Sequence, residues 1–271
     1  MTDDGLVLVE QLGRVRRLTL NRPDKSNAIS RDLLATLVSE IDGAADDQDT
    51  SVIVLQGAGR GFCAGFDLGA GSQQTIWSDR ERLRRTGRHL DVVWSCPIPV
   101  IAQVHGFALA GGSDLALHCD FLICAEGARI GYPPVRDLGV PPSTMWLYRA
   151  GLQMAKRMLM TGDSLTGIEA HEIGLAIEVW PEADLADRAL ALAQRIALVG
   201  REALIGNKAV LNRGIDLMGR ATLNRIAETE DALAHTAPSA LAFRERAREH
   251  GLKVALQERD APFQPDPPGI T

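Results

Sequence analysis

Two glycine-rich segments and one carboxylate carry the chemistry this sequence could perform. The first segment, Gly57-Ala58-Gly59-Arg60-Gly61-Phe62-Cys63-Ala64-Gly65-Phe66-Asp67-Leu68, holds four glycines in nine residues and follows an apolar run, Ser51 to Gln56. The second, His105-Gly106-Phe107-Ala108-Leu109-Ala110-Gly111-Gly112-Ser113-Asp114, follows another apolar run, Val100 to Val104, and opens a helical pattern containing Leu115, Ala116 and Cys119. Glycine lets backbone N–H groups approach a ligand closely, and a helix N-terminus favours negative charge. A pair of such turns can therefore offer two N–H donors to one oxygen, as an oxyanion hole does. Each turn taken singly is also an ordinary strand-to-helix connection, and no G-x-G-x-x-G or Walker A spacing points to a nucleotide. Asp114, about one helical turn inside the second segment, is placed either to exchange a proton beside those donors or to cap the helix. The helix dipole would lower its pKa and burial would raise it.

The elements that must position these groups can be read from hydrophobic patterning. Leu6 to Gln11 and Val15 to Leu20 read as a hairpin turning at Gly13. The loop Asn21 to Ala28 is rich in turn formers, and Ser30 is a good N-cap for a helix with Leu33, Leu34, Leu37, Val38 and Ile41 on one face. The basic stretch Arg80 to His89 reads as a helix with a solvated face, or as a cationic rim for a phosphate-bearing ligand. Strands are expected at Phe121–Ala125 and Ala176–Trp180, with a stiff non-helical loop from Gly131 to Pro142 and a capping box at Thr166 and Glu169 whose helix ends at Gly174. From Glu182 the pattern is helical, broken near Gly200, Gly214, Pro238 and Gly251, and Pro262 to Thr271 reads as a loose tail. The chain thus divides into an α/β core (1–199) and a helical C-terminal region (200–271).

Composition narrows the function. With 271 residues, 45% of them hydrophobic, the chain can bury a large core. A net charge of −6 argues against general nucleic-acid binding. No run approaches the roughly 20 apolar residues of a membrane span, and Met1 to Gly5 lacks the features of a leader, so the cytoplasm is the expected compartment. Cys63, Cys96, Cys119 and Cys124 are scattered and read as buried, reduced thiols, with neither a disulfide framework nor a zinc site suggested.

His105 to Asp120 resembles the crotonase signature H/N-G-x-A-x-G-G-G-x-E/D-L-A-x-x-C-D, with Ala110 standing for the first glycine of the triplet. Gly59 to Leu68 is similar to that superfamily's G-x-x-F-C-A-G-x-D-L segment, and Asn21 to Ala28 to its N-R-P-x-x-x-N-A entry loop. The resemblance covers about residues 6–263 and implies a crotonase-like spiral of β-β-α units with a helical trimerisation region, assembled as a homotrimer or a dimer of trimers. It also implies an acyl-CoA thioester substrate, with coenzyme A entering only as part of that substrate and no other cofactor. The N–H groups of Phe66 and Gly111 would hold the thioester oxygen, and Lys25, Ala28, Ala64, Asp67 and Leu68 would line the CoA path. Asp114 falls where hydratases carry one catalytic glutamate. Their second glutamate aligns with Pro134, which has no proton to exchange, so simple hydration is expected to be slow. Phe66 stands where alanine is common and would narrow the site.

The resemblance implies enoyl-CoA hydratase or isomerase chemistry. Two rivals stay open: cleavage of a C–C bond in a β-keto thioester, and a non-catalytic homologue that binds CoA or, through its arginine-rich segment, RNA. His89, His105, His118 and Asp137 are reserve candidates for a missing acid or base, each of them also explicable as structural or solvated.

Overall fold

Two runs rich in β-branched and large apolar residues, joined at Gly13, make the first two strands a hairpin: β1 (Val7–Leu12) pairs antiparallel with β2 (Val15–Leu20), in register from Val7 opposite Leu20. The computed structural model of the protein describes residues 5–67 and 75–264. From β2 onward the sheet is parallel. β3 (Val52–Gly57) and β4 (Val100–Val104) follow; with β5 (Phe107–Leu109), β6 (Phe121–Ala125), β7 (Arg129–Gly131), β8 (Ser164–Thr166) and β9 (Glu178–Trp180) they build two sheets, of order β1-β2-β3-β4-β6-β9 and β5-β7-β8. Val52, Ile53, Val54 and Leu55 of β3 are all buried, the unbroken apolar run expected of a parallel strand covered on both faces.

The helices supply the cover. α1 (Arg31–Asp46) is capped by Ser30, whose hydroxyl accepts from the Leu33 N–H, and it buries Leu33, Leu34, Leu37, Ile41 and Ala44. α2 (Ile76–Ser95) buries Leu83, Leu90, Val93 and Trp94 and leaves Arg84, Arg85 and Arg88 exposed, so its basic composition belongs to a solvated face. α3 (Gly111–His118) is buried throughout. The capping box at Thr166 and Glu169 starts the short α5 (Gly167–Glu172) after α4 (Met145–Thr161), and α6 (Glu182–Ile196) lays Leu185, Ala189 and Ala193 on the core at helical spacing.

Three expectations shift. No helix is expected from the pattern over α4, where Gly151 (φ 75°, ψ 164°) interrupts the apolar period. Nor are the three-residue strands of the smaller sheet expected, each too short to show an alternation. Gly214 lies inside α7 (Arg201–Leu217), and the break falls instead at Gly219, whose φ of 95° ends that helical run. Gly200, Pro238 and Gly251 do mark boundaries, the last two around α9 (Pro238–His250) and α10 (Leu252–Asp260), which follow α8 (Arg220–Ala234). The region after residue 200 is fastened to the core: Arg201 donates to Thr50 O (3.0 Å) and to Ala45 O, Lys208 Nζ reaches Asp120 Oδ2 (2.6 Å) and Ile98 O (3.1 Å), and Asn212 donates to Trp94 O (2.8 Å).

Candidate active site

The entry loop is built to hold the first glycine turn. Asn27 is fully buried, adopts φ 54°, and donates through Nδ2 to Ala58 O (2.8 Å) and Gly61 O (2.9 Å), while its Oδ1 accepts from the Arg22 N–H (2.9 Å). Arg22 donates to Ala28 O (2.5 Å) and pairs with Asp67 (2.9 Å). The Ala64 N–H donates to Ser26 O at 3.0 Å. Arg22 and Asn27 therefore act as the frame of the turn.

The two glycine turns are stitched to each other. Cys63 and Ala108 form a parallel bridge, with Cys63 N–H donating to Phe107 O (3.1 Å) and Leu109 N–H to Cys63 O (3.0 Å). The His105 ring adds Nε2 to Gly59 O at 2.8 Å, which makes His105 a structural tie. A second parallel bridge joins Ile29 to Phe66 and uses Gly65 O and the Asp67 N–H. In a parallel bridge the flanking residues make the bonds, so the Phe66 N–H points away from Ile29. Gly111 opens α3, and the first N–H groups of a helix have no intrahelical acceptor. Among the described residues neither the Phe66 nor the Gly111 N–H donates a hydrogen bond. The turns touch: a Cβ on Gly65 (φ 113°) would stand 2.7 Å from the Ala110 Cβ and 3.2 Å from the Gly111 nitrogen.

Ala110 adopts φ 53° and ψ −128°, the conformation of the first central residue of a type II′ turn and ordinarily glycine's. Its N–H is fixed to Gly131 O at 2.9 Å and its carbonyl accepts from the N–H groups of Ser113 (2.9 Å) and Asp114 (3.2 Å). Strain at the residue before the Gly111 donor is thus held in place by β7 on one side and by the first turn of α3 on the other.

Asp114, three residues into α3, is fully buried. Its Oδ1 accepts from the Ser143 hydroxyl at 2.8 Å, and its Oδ2 has no partner among the described residues. Burial pushes its pKa up to about 8, against the Ser143 hydrogen bond and with help from the negative charge of Asp231. Of the two opposing influences set out for this residue, burial wins. At neutral pH the carboxyl keeps its proton, and it is not a helix cap, since no side-chain capping bond exists at the start of α3. Ser143 gave no signal in the sequence, because it sits in a Pro-Pro-Ser-Thr loop whose path only the fold reveals.

The remaining candidates separate. Lys25 is exposed at the end of a 3₁₀ turn (Pro23–Lys25), Ala28 is half-buried, Ala64 is exposed, and Asp67 is exposed with its carboxylate occupied by Arg22. Leu68 lies outside the described residues. Pro134 lies in a second 3₁₀ turn (Pro133–Arg136) and its carbonyl accepts from the N–H groups of Asp137, Leu138 and Gly139. His118 is buried, donates Nδ1–H to the Asp114 carbonyl (2.7 Å), and is pushed down to about 4 by burial. His89 is half-buried and held low by burial and by Arg88, Arg85 and Arg31. Asp137 lies 3.5 Å from Arg246. All four cysteines are free and buried, and burial pushes Cys63 and Cys124 up to about 12. Among the described residues no three His, Cys, Asp or Glu side chains gather as metal ligands, and no helix is long and apolar enough to cross a membrane.

The family model for enoyl-CoA hydratase/isomerase matches residues 10–263, and the chain belongs to that family. It is an enzyme of the hydratase/isomerase group. The 2,3-dehydroadipyl-CoA hydratase of Escherichia coli is 32% identical over 95% of this chain and 98% of its own length. Crotonyl-CoA hydratase of Syntrophomonas wolfei is 31% identical over 95% of this chain and 97% of its own. The crystal structure of an enoyl-CoA hydratase from Mycobacterium smegmatis superimposes with a TM-score of 0.92 at 38% identity, covering 97% of both chains. The mixed α/β architecture and the crotonase relationship expected from the motifs are those of these relatives.

Proposed function

We propose that the enzyme processes an acyl-CoA thioester through its enolate, with the carbonyl oxygen held by the N–H groups of Phe66 and Gly111 and with Asp114 moving the proton at Cα. The observation that carries this reading is the pair of N–H groups, without an acceptor among the described residues, on two turns that are bridged to each other, one at a helix N-terminus, with a buried carboxyl one turn further along the same helix. Two N–H donors in a dry site stabilise negative charge that develops on an oxygen, and a carboxyl near pKa 8 exchanges protons readily at neutral pH. The names of the relatives support a CoA thioester, with enoyl-CoA hydration or isomerisation as the reaction type. CoA would run past Lys25, Ala28, Ala64, Asp67, Leu68 and the Pro134 side, its phosphates drawn locally by basic side chains because the whole protein is acidic.

A homotrimer or a dimer of trimers is proposed as the working assembly; Val210, Leu211, Leu217 and Met218, apolar and exposed on and just after α7, support it. The cytoplasm is the proposed compartment, in keeping with four free cysteines. A panel of 2-enoyl, 3-enoyl and β-keto CoA thioesters, read by product mass, tests the reaction type, with calorimetry of CoA binding to the wild type and to Lys25→Glu. Turnover of an enoyl thioester and weaker CoA binding by the variant are expected; indifference of both proteins to CoA would contradict the reading.

A further inference from the structure

Asp231 belongs to α8, more than a hundred residues from Asp114, yet its carboxylate reaches the loop that follows Pro134. Oδ1 accepts from the Val140 N–H at 3.0 Å and lies so close to Gly139 that a Cβ there would collide with it. Two helical turns earlier, Asn224 accepts from the N–H (3.0 Å) and the hydroxyl (2.8 Å) of Thr144. Residues 139–144 are therefore clamped against α8 at both ends, and between the anchors Ser143 donates to Asp114.

Behind Asp231 stands an imidazole between two carboxylates. His235 places Nδ1 2.5 Å from Asp79 Oδ2 and Nε2 3.5 Å from Asp231 Oδ1. Asp79 is fixed in turn by Arg82, through Nε at 2.9 Å and Nη2 at 2.7 Å. This Arg–Asp–His–Asp line comes from α2 and α8, and its last member, Asp231 of α8, contacts at Val140 the loop between Pro134 and Ser143. Among the described residues only Oδ1 of Asp231 is engaged, and the side chain is 5% exposed. Asp114 likewise keeps a buried Oδ2 with no partner among the described residues.

We infer that Asp231, oriented by His235 and Asp79, is the second acid–base group of the site and does there what Pro134 cannot. The inference rests on the acyl-CoA reading above. The charges that face Asp231 are His235 on its own helix, Asp79 and Arg82 from α2, and Asp114 from α3; Tyr132, buried beside both carboxylates, is pushed well above its ordinary value and stays a phenol. Burial pushes Asp231 up to about 6, while His235, the Val140 N–H and Arg82 hold it down and Asp79 raises it. Near neutral pH Asp231 is thus ionised while Asp114, near 8, holds its proton. Two carboxyls whose environments set their pKa values apart divide into base and acid.

Hydration of a 2-enoyl thioester then balances. Asp231 takes one proton from water as its oxygen bonds to Cβ, and the C=C electron pair moves toward the thioester to give an enolate held by Phe66 and Gly111. Asp114 delivers its proton to Cα as the carbonyl re-forms. Between turnovers the proton on Asp231 passes to Asp114 by way of solvent, which restores both groups.

Asp231→Asn keeps an oxygen for the Val140 N–H, so a purely structural role would survive it. Crotonyl-CoA hydration and Cα proton exchange of butyryl-CoA in D₂O are measured side by side. The expected result is a loss of hydration of about 10²-fold with a much smaller loss of exchange. His235→Gln removes a partner that holds Asp231 low, so the acid limb of kcat/KM for hydration moves to higher pH while the alkaline limb stays near that of the wild type. Wild-type hydration by folded Asp231→Asn, or an equal fall of hydration and exchange, overturns the assignment. If that variant does not fold, an unmoved acid limb in His235→Gln overturns it alone. A wild-type enzyme with neither hydration nor exchange would sink the acyl-CoA reading itself, and this inference with it.

Discussion

The Phe66 ring rests on the Cα of Gly111: a Cβ at Gly111 would stand 2.5 Å from Cε2 and 2.6 Å from Cδ2 of that ring. The residue offering one proposed donor thereby covers the residue offering the other, and any side chain at 111 must displace the ring. Gly111→Ala should disturb both N–H groups and cost on the order of 10²–10³ in kcat, the worth of an oxyanion donor, with a smaller effect on KM. Phe66→Ala keeps its N–H and empties the space over Gly111. It should shift the preference from short toward longer or branched acyl chains, read as the ratio of kcat/KM values across a chain-length series; an unchanged ratio would show that the ring does not limit the acyl group.

Ala110 holds a backbone conformation that L residues rarely adopt. A non-glycine residue in such a region costs about 1–3 kcal/mol, and glycine gives back about 0.5–1 kcal/mol in unfolded-state entropy. Ala110→Gly should therefore stabilise the fold by about 1 kcal/mol, measured by denaturant unfolding. Destabilisation would mean that the Ala110 methyl, which packs toward Gly65, contributes more than the strain it imposes.

Asp114 makes stability depend on pH in a direction that can be worked out. Its folded-state pKa, about 8, lies above the ordinary 3.8, so between those values the folded chain holds a proton that the unfolded chain releases. The stabilisation is complete below the unfolded pKa and is lost as pH rises toward 8, levelling beyond it. Asp114→Asn never ionises and lacks this decline. Its Tm should match that of the wild type near pH 4 and exceed it increasingly up to about pH 8. A constant difference across that range would show that the carboxyl is not buried in solution.

Much of this site was legible in residue order because glycine spacing, a loop of turn formers and a helix cap are local signals. Gly65, Gly111, Asn27 and Ser30 occupy the places their types require, and the parallel strands announced themselves as apolar runs. What could not be read depends on chain segments that meet only after folding. Ser143 reaches Asp114 across 29 residues, and His235 reaches Asp79 across 156, with no periodicity linking either pair. The small sheet escaped because three residues are too few to alternate, and α4 because Gly151 divides it. Pro134 marked a missing carboxylate, but the sequence alone offered no reason to look for one on α8.

The central claim, that Asp114 moves the Cα proton of an acyl-CoA whose carbonyl is held by Phe66 and Gly111, is tested most directly by solvent exchange. Butyryl-CoA incubated with the enzyme in D₂O should gain deuterium at Cα, with a rate that rises with pH and levels above about 8 as the carboxyl ionises. Asp114→Asn should lower that rate by about 10²–10⁴-fold while still binding CoA. Exchange that persists unchanged in folded Asp114→Asn would place the chemistry on another residue and contradict the account.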